Sequence, residues 1–171
     1  MKYHISTRVL HWMTAIAIIA LIFSGFIMGG LPKEYKYIIY ANHKKFGITV
    51  LIISLIRLIL RLKFKSPDYP KNIIPKIQIY LGKLVHGLLY LFAVVTPLSG
   101  FLMSIFSGKK VIWFFGIDLP LIVEKNKNYA HIFHELHSIF VYTLLALLFL
   151  HIIGAIKHAV FDKYNIFKRI I

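Results

Sequence analysis

The chain contains no cysteine among its 171 residues. This absence excludes disulfide bonds, cysteine-ligated iron–sulfur clusters and a haem attached covalently through a C-x-x-C-H motif. Any redox chemistry of the protein must therefore depend on other ligands, of which histidine, present nine times, is the most abundant candidate.

Acidic residues are scarce, with 6 Asp and Glu against 21 Lys and Arg, which gives a formal net charge of +15. In a soluble protein this charge would indicate nucleic-acid binding. Here most cations lie between or beside long apolar runs, so we attribute the excess to the positive-inside bias and to contact with anionic membrane lipid. We predict no nucleic-acid partner.

Apolar residues make up 58% of the chain, and the mean hydropathy is +0.73. Such a composition is typical of an integral membrane protein. Four apolar runs, each long enough for one crossing, lie at about residues 6–29, 42–62, 80–107 and 132–161. The sequence predicts one domain over residues 1–171, an all-α bundle of four transmembrane helices.

The connections between these runs differ in character. A short polar segment covers residues 33–41, and a loop at 66–79 contains Pro67, Pro70 and Pro75, a proline spacing that a membrane helix does not tolerate. The longest connection, residues 108–130, has the aromatic core Trp113-Phe114-Phe115, which predicts a segment lying in the membrane interface.

Four crossings place both termini on one side of the membrane. The N-terminus, the second connection and the C-terminus hold most of the 21 Lys and Arg residues. The positive-inside bias therefore predicts that both termini are cytoplasmic.

Histidines recur at helical spacing in the apolar runs. His137, His151 and His158 are 14 and 7 residues apart, which places them on one face of the last helix, the first two separated by roughly 21 Å along its axis. The predicted topology puts His43 at the outer depth of His137, and His11 at the inner depth of His151.

Each of these pairs could hold one flat haem by two axial imidazoles. Gly25 lies 14 residues after His11 and Gly47 one turn after His43, and these small residues make room for a ring. Zinc is a poor alternative, because the histidines are divided between two depths and Glu135 is the one carboxylate within the runs.

Four further residues keep several interpretations open. His158 could replace His151 as a ligand, bind a quinone or a haem propionate, or lie at the interface. His86 could act in ligation, in hydrogen bonding or at a quinone site, and Arg57 and Arg61 could neutralise haem propionates or extend to lipid phosphates.

The sequence resembles the bacterial cytochrome b561 family of four-helix, two-haem proteins of the inner membrane. The resemblance covers nearly the whole chain and rests on the spacing of His137, His151 and His158 and on the stretches RVLHWMTAIAIIALIFSGFIMG, ANHKKFGI, LIRLILRL and GKLVHGLLYLFAVVTPLSGFLM. One departure is local: Leu136-His137-Ser138 stands where family members can have Trp-His-Glu, which affects the surroundings of the ligand but not the ligand itself.

The resemblance implies two non-covalent b haems and electron transfer to the quinone pool, with superoxide as the donor and ubiquinone as the acceptor in the stand-alone class. Outer lysines would then steer superoxide, or would simply be solvated; they are Lys44, Lys45, Lys109 and Lys110. The alternative is a non-catalytic relay or anchor subunit for a partner dehydrogenase or hydrogenase.

Overall fold

The computed structural model of the protein describes residues 2–64, 74–119 and 123–171. Its long helices are α1 (Ile5–Met28), α2 (Lys33–Lys63), α3 (Lys76–Phe106) and α4 (Lys127–Val160). α3 packs against α2 and α4, and α1 packs against α2. This arrangement confirms the prediction of an all-α four-helix bundle. The predicted loop residues Pro67 and Pro70 lie outside the described ranges.

Three of the helices, α1, α3 and α4, are long and apolar enough to cross a membrane. Their outward surfaces carry large exposed apolar side chains such as Phe23 and Phe149, as expected for a surface that contacts lipid. α2 is equally long but more charged, with Lys44 and Lys45 in its first half and Arg57 in its second. That α2 also crosses stays a prediction.

The predicted starts of three helices were wrong. α2 begins at Lys33 rather than at residue 42, so the expected polar connection is its first turns; α3 begins at Lys76 rather than at residue 80, and α4 at Lys127 rather than at residue 132. Hydropathy marks where a helix becomes apolar, whereas the helix itself starts at its cap. The Asn126 side chain, for example, accepts hydrogen bonds from two backbone N–H groups of α4, at 3.0 and 3.1 Å.

The centre of the bundle is a buried apolar layer to which each long helix contributes one residue: Ile18, Val50, Ala93 and Leu144. In every helix the residues seven positions before and after this layer lie on the same face, about 10.5 Å away along the axis. The central layer therefore separates two further layers, and those contain the histidines.

One end of the bundle is covered by a small hairpin, which we call the hairpin end. Strands β1 (Val111–Ile112) and β2 (Asp118–Leu119) pair antiparallel around a turn at Phe114–Gly116. The Trp113 indole N–H donates to Thr49 Oγ1 of α2 at 3.1 Å, while Phe115, at positive φ, is fully exposed. The segment predicted to lie in the interface is thus a hairpin fixed to α2.

The opposite end is closed by the C-terminal tail, and we call it the tail end. A short 3-10 turn, Ile166–Arg169, brings the tail back to α1. Arg169 O accepts from Tyr3 N at 3.0 Å, and Ile170 O accepts from the Trp12 indole at 3.2 Å. Arg169 is 5% exposed. The sequence pattern indicated only a basic tail here and gave no sign of its contact with the bundle.

Candidate functional site: two histidine layers

The layers on either side of the apolar centre have different compositions. The layer at the hairpin end consists of Gly25, His43, Gly100 and His137, and the layer at the tail end consists of His11, Arg57, His86 and His151. All eight positions lie seven residues from the central layer in their own helix. One layer thus has two histidines flanked by glycines, and the other has three histidines and an arginine.

At the hairpin end, His43 of α2 faces His137 of α4. Their ring centroids are 6.4 Å apart, and their planes are nearly perpendicular at 81°. The structure therefore brings together the two residues that the sequence assigned to the outer depth. Both side chains are largely inside the bundle.

Hydrogen bonds fix the orientation of both rings through Nδ1. His137 Nδ1 lies 2.9 Å from Thr96 O, a carbonyl that can only accept, so Nδ1 carries the proton. His43 Nδ1 lies 2.9 Å from Ser24 Oγ, whose own proton goes to Leu21 O, so this nitrogen is also the donor. In both rings Nε2 is left with a lone pair for a metal. The spacing of the histidines gave no signal for these supporting groups.

A glycine packs tightly against one of these rings. A Cβ built on Gly100 would lie 3.0 Å from His137 Cε1 and 3.1 Å from Nδ1, whereas one on Gly25 would lie at 3.6 Å from His43 Cε1. The Gly100 contact is closer than ordinary van der Waals distance. The glycine that lets α3 approach the ligand face of α4 is therefore Gly100.

We expect Gly100→Ala to displace the His137 ring and to weaken haem binding at the hairpin end by about tenfold, the usual scale for disturbing the support of a ligand. Haem titration and the low-spin electron paramagnetic resonance signal would measure this. Gly82→Ala is the matched control on the same helix, because a Cβ there meets nothing within 4 Å. Equal spectra for both variants would contradict the steric argument.

A cavity of about 680 Å³ extends from the hairpin-end pair to the surface, within the usual size of a cofactor pocket. Lys44 and Lys109 line it and share the ring of Tyr40, with Nζ at 4.6 and 5.3 Å from the ring centroid. The structure thus brings two of the four predicted steering lysines to one opening. Lys110 instead faces Asp118 at 3.8 Å, and Lys45 does not line the cavity.

At the tail end, His11 of α1 faces His151 of α4 with ring centroids 6.3 Å apart and planes at 62°. His86 of α3 is a third member, 5.1 Å from the His151 ring. The structure places together the two residues that the sequence assigned to the inner depth, with His86 packed against one of them.

Arg57 distinguishes the tail-end layer. Its Nη2 lies 3.2 Å from His11 Nδ1, and because a guanidinium only donates, this contact makes Nδ1 an acceptor and leaves the proton on Nε2. For His11 to bind a metal through Nε2, its proton must lie on Nδ1 instead, and Arg57 must donate to a different acceptor. Among the described residues, Arg57 Nε is buried without a hydrogen-bond partner. A carboxylate at this point would satisfy the guanidinium and release His11.

Further cations surround this layer. Arg61 and Arg169 are close enough to His86 to interact with it electrostatically, as is Arg57. The arginines predicted as propionate contacts therefore both lie at the tail end, together with one from the C-terminal tail that the sequence did not suggest. Such a cluster favours an anionic group next to the histidine pair.

The two pairs have the spacing of axial ligands. An imidazole nitrogen lies about 1.1 Å from the ring centroid and binds metals at about 2 Å, so rings on opposite sides of one ion have centroids about 6.3 Å apart. The observed 6.3 and 6.4 Å fit this value, and the 5.1 Å between His86 and His151 is too short. In the described ranges no three His, Cys, Asp or Glu converge as a protein-only metal site would need.

His158 lies beyond the tail-end layer. Its Nδ1 is 2.5 Å from Asp162 Oδ2, and the same carboxylate accepts from Lys157 Nζ at 2.8 and 3.0 Å. His158 is therefore engaged with the end of α4, two turns from His151, rather than in the pair with His11.

A family model described as prokaryotic cytochrome b561 matches residues 2–171. The chain is 23% identical over 168 residues to a Yersinia pestis protein named probable superoxide oxidase, covering 98% of this chain and 94% of that protein. It is also 25% identical to Escherichia coli cytochrome b561 homolog 2 over 172 residues (99% and 91%) and to homolog 1 over 163 residues (94% and 91%).

Proposed function

The chain belongs to the prokaryotic cytochrome b561 family, whose members are haem-containing membrane electron-transfer proteins, and from this premise we propose that it oxidises superoxide and reduces ubiquinone. The proposal includes two non-covalent b haems, one between His43 and His137 and one between His11 and His151. It also places the protein in the bacterial inner membrane, with the hairpin end periplasmic and both termini cytoplasmic.

The observation that carries the proposal is the pair of matched histidine sites. Each pair offers two imidazoles at the separation that one iron requires, and when bound the haem irons supply reversible one-electron transfer. Two histidines per iron leave no open coordination position. The protein would therefore exchange electrons with its substrates without forming an iron–substrate bond, which suits superoxide oxidation.

The central layer has a supporting role in this scheme. Ile18, Val50, Ala93 and Leu144 close the space between the two pairs with apolar side chains. These side chains offer water no hydrogen-bond partner between the sites, and the helix backbone of α4 holds His137 and His151 roughly 21 Å apart along its axis.

The choice of superoxide rests on charge at the hairpin end. Lys44 and Lys109 stand at the opening of the cavity that leads to His43 and His137. Two ammonium groups beside one opening would attract a small anion and raise its encounter rate. The Yersinia pestis relative named as a superoxide oxidase, similar over nearly the whole chain, supports the same choice.

At the tail end, the proposal assigns the acceptor to the neighbourhood of His86 and His158. Arg57 and Arg61 would hold the haem propionates in the same region. A quinone enters its site from the lipid, so the site must lie at a membrane-facing part of the bundle. The cytoplasmic ends of α3 and α4 provide His86 and His158 for such a site.

Stopped-flow absorbance with the haem-loaded, oxidised protein tests the proposal. Mixing with superoxide should produce the α band of reduced haem, and added ubiquinone should abolish it through turnover. The Lys44→Gln/Lys109→Gln double variant should lower the second-order rate constant about tenfold at low salt and weaken its salt dependence. Lys168→Gln, which removes an exposed lysine of the C-terminal tail at the opposite end of the bundle, is the control. A wild-type protein that stays oxidised would refute superoxide as the donor.

The alternative is an electron relay or anchor for a partner dehydrogenase or hydrogenase. The hairpin favours this alternative, because its turn exposes the aromatic ring of Phe115 completely at the hairpin end of the bundle, where a partner protein could dock. Under this alternative the isolated protein would take no electrons from superoxide, and Phe115→Ser would weaken reduction by the partner while leaving both haems in place.

A further inference from the structure

A small polar network occupies the end of α4, outside both histidine layers. Asp162, just after the helix ends at Val160, accepts from Lys157 Nζ at 2.8 and 3.0 Å and from His158 Nδ1 at 2.5 Å. Lys157 Nζ also donates to Gln78 Oε1 of α3 at 2.7 Å. The network therefore ties the carboxylate to the histidine and, through the lysine, to the neighbouring helix.

The carboxylate determines which nitrogen of the imidazole donates to it. The hydrogen bonds from Lys157 and His158 lower the pKa of Asp162, so its carboxyl group is ionised near neutral pH. An ionised carboxylate only accepts, so Nδ1 of His158 carries a proton and Nε2 is the nitrogen available to a substrate. The side chains of His158 and Asp162 are 15% and 19% exposed, which partly shields their contact from water.

The position of this histidine suits the tail-end chemistry. His158 follows His151 by seven residues on the same face of α4, so it stands about 10.5 Å further along the axis. A carboxylate that orients an imidazole and stabilises its protonated form is a general device for proton transfer. The ligand histidines cannot do this, since their Nε2 atoms are assigned to iron.

We infer that Asp162 is a positioning residue that holds His158 as the proton donor to the quinone reduced at the tail end. The inference rests on the proposed function.

Two superoxide ions give up two electrons and leave as two molecules of oxygen, and one quinone takes up these electrons and two protons to become a quinol. The proton-donating form of His158 carries a proton on both ring nitrogens, with Nδ1–H held by Asp162. The Nε2 proton passes to a quinone carbonyl oxygen, which leaves the neutral imidazole with its proton on Nδ1; water supplies the second proton of the quinol and then reprotonates Nε2.

A purely structural role for Asp162 predicts something different. The Lys157 contact alone would stabilise the last turn of α4, and removing it would affect folding or haem content but not the quinone step in particular. The decisive experiment must therefore separate quinone reduction from assembly.

The experiment starts from haem-loaded protein that has been reduced chemically without oxygen and is then mixed with a short-chain ubiquinone. The rate at which the reduced α band disappears is recorded against quinone concentration, in water and in deuterium oxide. In Asp162→Asn we expect the limiting rate to fall about 100-fold, with little change in the half-saturating quinone concentration and with a larger solvent isotope effect. His158→Gln should match it, and the double variant should be no slower.

Controls keep the outcome specific. Asp118→Asn makes the same chemical change in the exposed hairpin and should leave the rate unchanged, and Asp162→Glu should recover much of the lost rate if an ionised carboxylate is what matters. Two haems with wild-type spectra in each variant establish that the bundle has assembled. An Asp162→Asn protein with the wild-type limiting rate, or one affected only in half-saturation, overturns the inference.

A second readout does not depend on turnover. In protein labelled with ¹⁵N-histidine, the His158 resonances, identified by their loss in His158→Gln, should report a protonated Nδ1 in the wild type and a mixture of tautomers in Asp162→Asn. Identical resonances would overturn the inference. If quinone does not reoxidise the wild-type protein at all, the proposed acceptor is wrong and the inference fails with it. If quinone reoxidises the wild-type protein and Asp162→Asn at the same rate, the proposed acceptor is retained and only the inference is refuted.

Discussion

Alanine in place of His137 should halve the haem content of the protein and leave the haem of the other pair bound. The imidazole removed is one of two that face each other at 6.4 Å, and within the described ranges no other histidine belongs to the hairpin-end layer. His43→Ala should lose the same haem, while His11→Ala and His151→Ala should each lose the other. Haem quantification and the split of the α band at low temperature would measure these losses.

His134→Ala is the matched control for this series. His134 lies one turn before His137 on α4 but is exposed, and its Nδ1 contacts Glu135 at 3.2 Å, so its removal should change neither haem. Loss of the same haem from His43→Ala and from His11→Ala would contradict the pairing and with it the assignment of two separate sites.

Replacing Arg57 with glutamine should lower the midpoint potential of the tail-end haem. A positive charge nearby favours the reduced, more electron-rich haem. For a unit charge roughly 8 Å from the iron of a haem held by His11 and His151, and an effective dielectric constant of about 20, the Coulomb energy is about 2 kcal/mol. This energy corresponds to about 90 mV for one electron. Redox titration in the His137→Ala background measures this potential without overlap from the second haem.

Lys63→Gln provides the control for charge alone. Lys63 ends the same helix as Arg57 but is exposed, so solvent and salt should screen most of its effect. A drop of similar size in both variants would attribute the shift to net charge instead of to a buried guanidinium. An unchanged potential in Arg57→Gln would place this side chain away from the haem.

The sequence predicted those features that depend on periodicity. A spacing of 14 residues repeats a helix face to within a small rotation, so the spacing alone assigned His137 and His151 to one face of the last helix. The predicted topology then matched the depth of His137 to that of His43, and the depth of His151 to that of His11. The same regularity underlies the three layers of the bundle. The family assignment, which rests on the same stretches, is confirmed by the match over residues 2–171.

Other features depend on contacts that a linear pattern does not contain. The Nδ1 partners of His137 and His43 are a backbone carbonyl and a serine on different helices, and their positions follow from how far each helix is rotated. The tight approach of Gly100 to His137 has the same origin. The helix starts were misplaced because caps such as Asn126 act on backbone N–H groups, independently of hydropathy.

The last helix contributes one imidazole to each pair, and this has a consequence for how the protein is made. A nascent chain that has released only its first three helices from the ribosome has one member of each facing pair, His43 and His11, and lacks the partner of both. If the two pairs hold haem as proposed, iron protoporphyrin would be bound firmly only after α4 has entered the membrane and joined the bundle. Biogenesis would thus keep cofactor loading as its final step, and a chain interrupted before residue 137 would accumulate as empty apoprotein.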